Sequence, residues 1–258
     1  YAREQPPDLL FSKTIVRRPG KLQLSVAGIT DRRTLAFAGL CGAGCIVLVA
    51  ALLLDQRALA AGAKLVASSA FVSLAVFAGA ATSRYGVLIL AGLVLSWLGD
   101  AFLIGTAQHW FLLGLVSFLL AHVAYVAAFT TAGSDRRWTL GALLPVAAIV
   151  AGVLFWLQPH LPPAFVWPVR LYTIVISLMV VAAIGTRGAG ATPLIVVGAC
   201  FFYLCDLSVA ALRFTEPPFP TYLLGLPLYY AAQVCLAFSI AANSSRDPST
   251  ARPRSTQQ

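Results

Sequence analysis

Charge is what this chain has least of. Charged residues make up 10% of its 258 positions, and acidic ones number only nine. A water-soluble domain carries roughly a quarter charged residues, so a soluble globular fold is excluded. Histidine is scarce as well, with three in total. The five cysteines, Cys41, Cys45, Cys200, Cys205 and Cys235, all fall inside apolar stretches without a CxxC spacing. They read as small buried hydrophobes, which argues against a disulfide scaffold or a zinc site. No GxxxxGK[ST] phosphate loop, GxSxG nucleophile elbow or HExxH zinc helix occurs, so neither a metal nor another cofactor is expected. The net charge of +9 invites a nucleic-acid reading. The basic residues, however, lie in short segments between apolar runs, a distribution that fits membrane topology and not a continuous basic face.

What the chain has in abundance is hydrocarbon, with 59% of its residues hydrophobic. Apolar runs of about twenty residues cross a bilayer as helices. Eight are expected, at 34–54, 59–81, 86–105, 110–130, 139–157, 165–184, 193–212 and 222–242, forming an all-α polytopic membrane domain over 34–242. Trp110, Trp138, Trp156 and Trp167 fall near the expected ends, where aromatic belts form. With the N-terminus inside, Arg17, Arg18, Lys21, Arg32, Arg33, Arg84, Arg136, Arg137, Arg187 and the C-terminal arginines lie on the cytoplasmic side. The opposite loops then hold only Arg57 and Arg213, and this asymmetry puts both termini in the cytoplasm and the protein in the plasma or inner membrane. Residues 1–33 and 243–258 read as polar, basic cytoplasmic tails. The first of these lacks the apolar core of a secretory signal, and it begins at Tyr1 where an intact start would carry Met.

Two aspartates sit inside this hydrocarbon, Asp100 in LVLSWLGDAFLIG and Asp206 in CFFYLCDLSVAAL. A carboxylate at membrane depth costs about 2.5–3.5 kcal/mol on insertion scales, so it faces the protein interior and marks function. The two are 106 residues apart, and so are Lys64 and Arg170 in helices 2 and 6. The helix after each aspartate carries polar residues: His122 and Tyr125 after the first, Tyr229, Tyr230 and Gln233 after the second. The spacing suggests two parallel four-helix halves, with a site at their interface. By depth, Lys64, Asp100, Arg170 and Asp206 can converge in one pocket opening toward the outer leaflet.

Each polar residue has a structural alternative. The aspartates are acid/base groups or structural partners of Lys64 and Arg170. Ser96 with Asp100, and Tyr203 with Asp206, share helical faces and can hydrogen-bond. His122 is a site residue or a satisfied core histidine, while His109 and His160 belong to solvated loops. Tyr229 and Tyr230 line a site or join the aromatic belt; Gln233 needs an amide partner at that depth.

The runs SWLGDAFLIG, FLLGLVSFLLAHVAYVAAF, RLYTIVISLM, FFYLCDLSVAALRF and LPLYYAAQ, in this order, resemble the YhhN, or lysoplasmalogenase, family. The resemblance covers about Ala60 to Ile240. It implies an eight-helix membrane fold and hydrolysis of the vinyl ether bond of lysoplasmalogens, the alkenylglycerophosphocholines and alkenylglycerophosphoethanolamines, releasing a fatty aldehyde and a glycerophospho-alcohol. The positions it carries over are Lys64, Asp100, His122, Tyr125, Asp206, Tyr230 and Gln233, and Tyr172 with Met179 looks like the family's sixth helix. Where family members often have proline after the helix-2 lysine, this chain has Leu65.

A vinyl ether hydrolyses by protonation at carbon, giving an oxocarbenium ion that water captures; the hemiacetal then collapses. The chemistry needs an acid, a negative charge near the cation and a positioned water, which two carboxylates in unlike environments can supply. An apolar surrounding favours the protonated acid, and a neighbouring cation favours the carboxylate. The expected assignment makes Asp206 the general acid and Asp100 the group that orients water, with His122 and Tyr125 in support. Lys64, Arg170, Tyr172, Tyr229, Tyr230 and Gln233 are expected to bind the lysophospholipid, with Lys64 or Arg170 on its phosphate. The rival reading is a proton- or cation-coupled transporter of small solutes using the same carboxylates as a relay. The sequence carries no indication of oligomeric state.

Overall fold

The computed structural model describes residues 31–244. The expected tails 1–33 and 243–258 lie outside this range except for Asp31 to Arg33 and Asn243 to Ser244. The described residues form eight long helices: α1 (Arg32–Leu53), α2 (Arg57–Phe77), α3 (Arg84–Phe102), α4 (Gln108–Thr131), α5 (Arg136–Leu157), α6 (Val166–Gly188), α7 (Leu194–Phe214) and α8 (Tyr222–Ser244). Each is long and apolar enough to cross a membrane, so the protein is an integral membrane protein.

The helix ends differ from the hydropathy reading by a few residues because they are set by caps and turns. Asp135 starts α5 earlier than expected by accepting the Arg137 and Trp138 amides at 2.8 and 3.2 Å. Ser83 caps α3 in the same way, accepting the Gly86 amide at 3.0 Å. At the other extreme, α2 stops at Phe77, and not at residue 81, because Gly79 adopts φ +89° and a 3-10 turn follows over Ala80–Thr82. A left-handed residue ends a helix whatever the hydropathy beyond it, and glycine takes that conformation without strain.

Successive helices pack as hairpins, α1 with α2, α3 with α4, α5 with α6, and α7 with α8. Between hairpins, α2 packs on α3, and α6 on α7. Across the middle, α4 lies on α6, and α8 lies on α2. Each of these contacts has its counterpart under exchange of α1–α4 with α5–α8, the pattern that two parallel four-helix halves produce. Contacts of α8 with α1 and α3 break the equivalence. Two glycines bring α4 close to α3: a Cβ on Gly92 would lie 2.3 Å from the Tyr125 ring, and one on Gly99 2.6 Å from Phe118. That close packing holds the polar face of α4 at the centre of the bundle, where Tyr125 and His122 are fully buried.

Candidate functional site

Asp100 is held by three side chains from two helices. Lys64 Nζ on α2 stands 3.2 Å from its Oδ1, and Ser68 Oγ, one turn further along α2, donates to Oδ2 at 2.5 Å. From α8, the Tyr229 hydroxyl donates to the same Oδ2 at 2.7 Å. The carboxylate is thus ion-paired and hydrogen-bonded at 2% exposure, which a buried charge requires. Ser96, expected to bond Asp100, instead lies 3.4 Å from the Tyr125 hydroxyl on α4. The lone pairs of Asp100 already have better-placed donors.

Asp206 is built differently. Its Oδ2 accepts the Tyr172 hydroxyl of α6 at 2.8 Å, and His122 Nε2 of α4 stands 3.5 Å away. No lysine or arginine among the described residues pairs with it. Tyr203, expected to bond Asp206 from one turn before it, leaves its hydroxyl buried without a hydrogen-bond partner among the described residues. The two aspartates therefore follow one plan with different chemistry. Each takes a partner from the preceding helix of its own half and faces a residue on the last helix of the other half, Tyr229 for Asp100 and His122 for Asp206.

Both carboxylates line a single cavity of about 120 Å³. Its polar wall is Lys64, Asp100, Tyr172, Tyr203, Asp206 and Tyr229; the remainder is chiefly apolar, including Leu115, Phe118, Leu157 and Ile176. His122, Tyr125, Tyr230 and Gln233 are not on that wall but directly behind it. Tyr125 donates to Gln233 Oε1 at 2.9 Å, and the Tyr230 hydroxyl is 3.5 Å from the Lys64 carbonyl. The His122 ring packs between Phe202 and Tyr172, with centroids at 4.6 and 5.3 Å. Tyr229 meets Phe118, Phe202 and Phe71 edge-on, which fixes the hydroxyl that reaches Asp100.

Arg170 does not join the cavity. Its guanidinium donates to Gln158 at 2.6 Å and lies over the Trp167 ring at 5.5 Å, near the start of α6. The expected convergence of all four charged groups is therefore not what the structure shows. Residues two apart on a helix point to nearly opposite sides, so Tyr172, and not Arg170, meets the second aspartate. Sequence reasoning also passed over Ser68, although a serine one turn after Lys64 in an apolar helix shares that lysine's face.

The family model of YhhN matches residues 59–240. The chain belongs to the YhhN family. Two relatives, both named Lysoplasmalogenase TMEM86A, are 35% identical in Bos taurus and 37% in Homo sapiens over 167 residues, 62% of this chain and 67% of theirs. A Lysoplasmalogenase of Mycobacterium tuberculosis (strain CDC 1551 / Oshkosh) is 32% identical over 133 residues, 49% of each chain. No solved structure matches the chain. The matched span of the family contains the paired carboxylates and every residue that holds them.

Proposed function

We propose that this protein is a membrane-embedded hydrolase that cleaves the vinyl ether bond of lysoplasmalogens, releasing a fatty aldehyde and a glycerophospho-alcohol. Its curated relatives in the YhhN family carry the name lysoplasmalogenase, which favours this reading over transport. The observation that carries the reading within the molecule is the shared cavity. Two aspartates face one apolar chamber, one neutralised by Lys64 and one without a lysine or arginine beside it among the described residues.

Vinyl ether hydrolysis uses that contrast. The alkenyl chain lies along the apolar wall with its double bond between the carboxyls. Asp206, hydrogen-bonded only by a neutral phenol, delivers its proton to the carbon one removed from the ether oxygen. The positive charge that develops on the adjacent carbon and oxygen is stabilised by the Asp100 carboxylate, which Lys64, Ser68 and Tyr229 hold in place. Water held by a carboxylate adds to the cation, its proton passing to an aspartate, and the hemiacetal collapses to aldehyde and alcohol. Tyr172 orients Asp206 through its hydrogen bond, His122 packs beside that carboxyl, and Tyr125 and Gln233 brace the wall from behind.

The test is direct. Purified protein in detergent, without any ion gradient, is given a lysoplasmenyl lipid and the matching lysoacyl lipid. Aldehyde from the first and no fatty acid from the second is expected. Fatty acid without aldehyde would identify an ordinary lysophospholipase and overturn the reading.

A further inference from the structure

Neither cation expected to hold a lipid phosphate is free to do so: Lys64 is committed to Asp100, and Arg170 to Gln158 and Trp167. A second chamber supplies the missing charge. It has a volume of about 540 Å³ and adjoins the first, sharing Lys64, Leu103, Phe111, Val209 and Leu226 with it. At its rim stand Arg57, the first residue of α2, and Arg213, one residue before the end of α7.

The register of these arginines is informative. Arg57 precedes Lys64 by seven residues, and Arg213 follows Asp206 by seven. Seven residues make two helical turns, about 10 Å, and return to the same face. Because α2 and α7 run in opposite directions, both arginines sit at the same end of the bundle, above the two groups of the catalytic cavity. Arg213 lies over the Phe111 and Phe165 rings, its guanidinium 4.8 and 6.0 Å from their centroids, and forms no ion pair among the described residues. Among the described residues Arg57 ion-pairs with Asp55 alone, in a pair that is more than four-fifths exposed on both sides, and such a pair yields readily to a stronger anion. Two guanidiniums over a chamber that continues into an apolar one form a site for a phosphate whose organic remainder enters the bundle.

We propose that Arg57 and Arg213 bind the phosphate of a lysophospholipid headgroup, fixing the glycerol so that the first ether bond reaches the aspartates. This inference rests on the lysophospholipid reading above. It is tested with a ligand that cannot be cleaved, so that failure of hydrolysis and failure of headgroup recognition are separate results. Binding of a saturated 1-alkyl lysophospholipid, of the matching 1-alkylglycerol and of inorganic phosphate to the purified protein is measured by calorimetry. The native protein should bind the lysophospholipid about tenfold or more tightly than the alkylglycerol. Arg57→Gln and Arg213→Gln should each erode that preference by weakening only the phosphorylated lipid, whereas Arg170→Gln should leave it intact. Equal affinity for the two lipids, a preference that survives in the Arg57→Gln, Arg213→Gln double variant, or loss of preference in Arg170→Gln overturns the assignment. Tight binding of inorganic phosphate without a preference between the lipids would overturn the headgroup role.

Discussion

Lys64 Nζ lies 3.2 Å from Asp100 Oδ1, and this ion pair makes the two aspartates chemically unlike despite their matching places in the two halves. Removing one member of a buried pair strands the other charge, which costs about 3–5 kcal/mol. Lys64→Met should therefore lower the thermal stability of the protein in detergent markedly. The double variant Lys64→Met, Asp100→Asn, which buries no lone charge, should recover most of that loss yet stay inactive. A double variant no more stable than Lys64→Met would show that the pair does not set stability.

Close approach of α3 and α4 at Gly92 is the next consequence to test. An alanine methyl there would meet the Tyr125 ring at 2.3 Å, displacing the hydroxyl that bonds Gln233. Overpacking of this kind costs about 1–3 kcal/mol. Gly92→Ala should melt at lower temperature and turn over more slowly, whereas Gly141→Ala, where a Cβ meets nothing within 4 Å, should do neither.

Tyr203 presents a buried hydroxyl without a partner among the described residues on the wall of the cavity the two aspartates share. A hydrogen bond from it to the glycerol portion of the substrate would contribute about 0.5–1.5 kcal/mol. Tyr203→Phe should accordingly raise KM several-fold with stability unchanged or improved, because it removes an unsatisfied polar group. An unaltered KM would leave that hydroxyl without a substrate role.

The sequence discloses the membrane class, the number of helices and the two aspartates because each follows from a cost that sequence alone records: twenty apolar residues, or a carboxylate among them. It discloses less where geometry between helices decides. The spacing of 106 residues pairs Lys64 with Arg170, yet two positions further along, about 200° around α6, it is Tyr172 that faces Asp206. Ser96 and Asp100 share a helical face, but which hydroxyl wins the carboxylate depends on α2 and α8 arriving with closer donors. Arg57 and Arg213 were legible only as loop charges, since their common chamber exists only once α2 and α7 are side by side.

Proton delivery by Asp206 to a substrate whose cation Asp100 stabilises is read out by the rate of aldehyde release from a lysoplasmenyl lipid. Asp206→Asn has nearly the shape of the native side chain and strands no cation, so it should fold with native helix content and melting temperature. Its turnover should fall by about 10²–10⁴-fold, the usual contribution of a positioned acid. A folded Asp206→Asn protein that releases aldehyde at a near-native rate would show that Asp206 is not the acid.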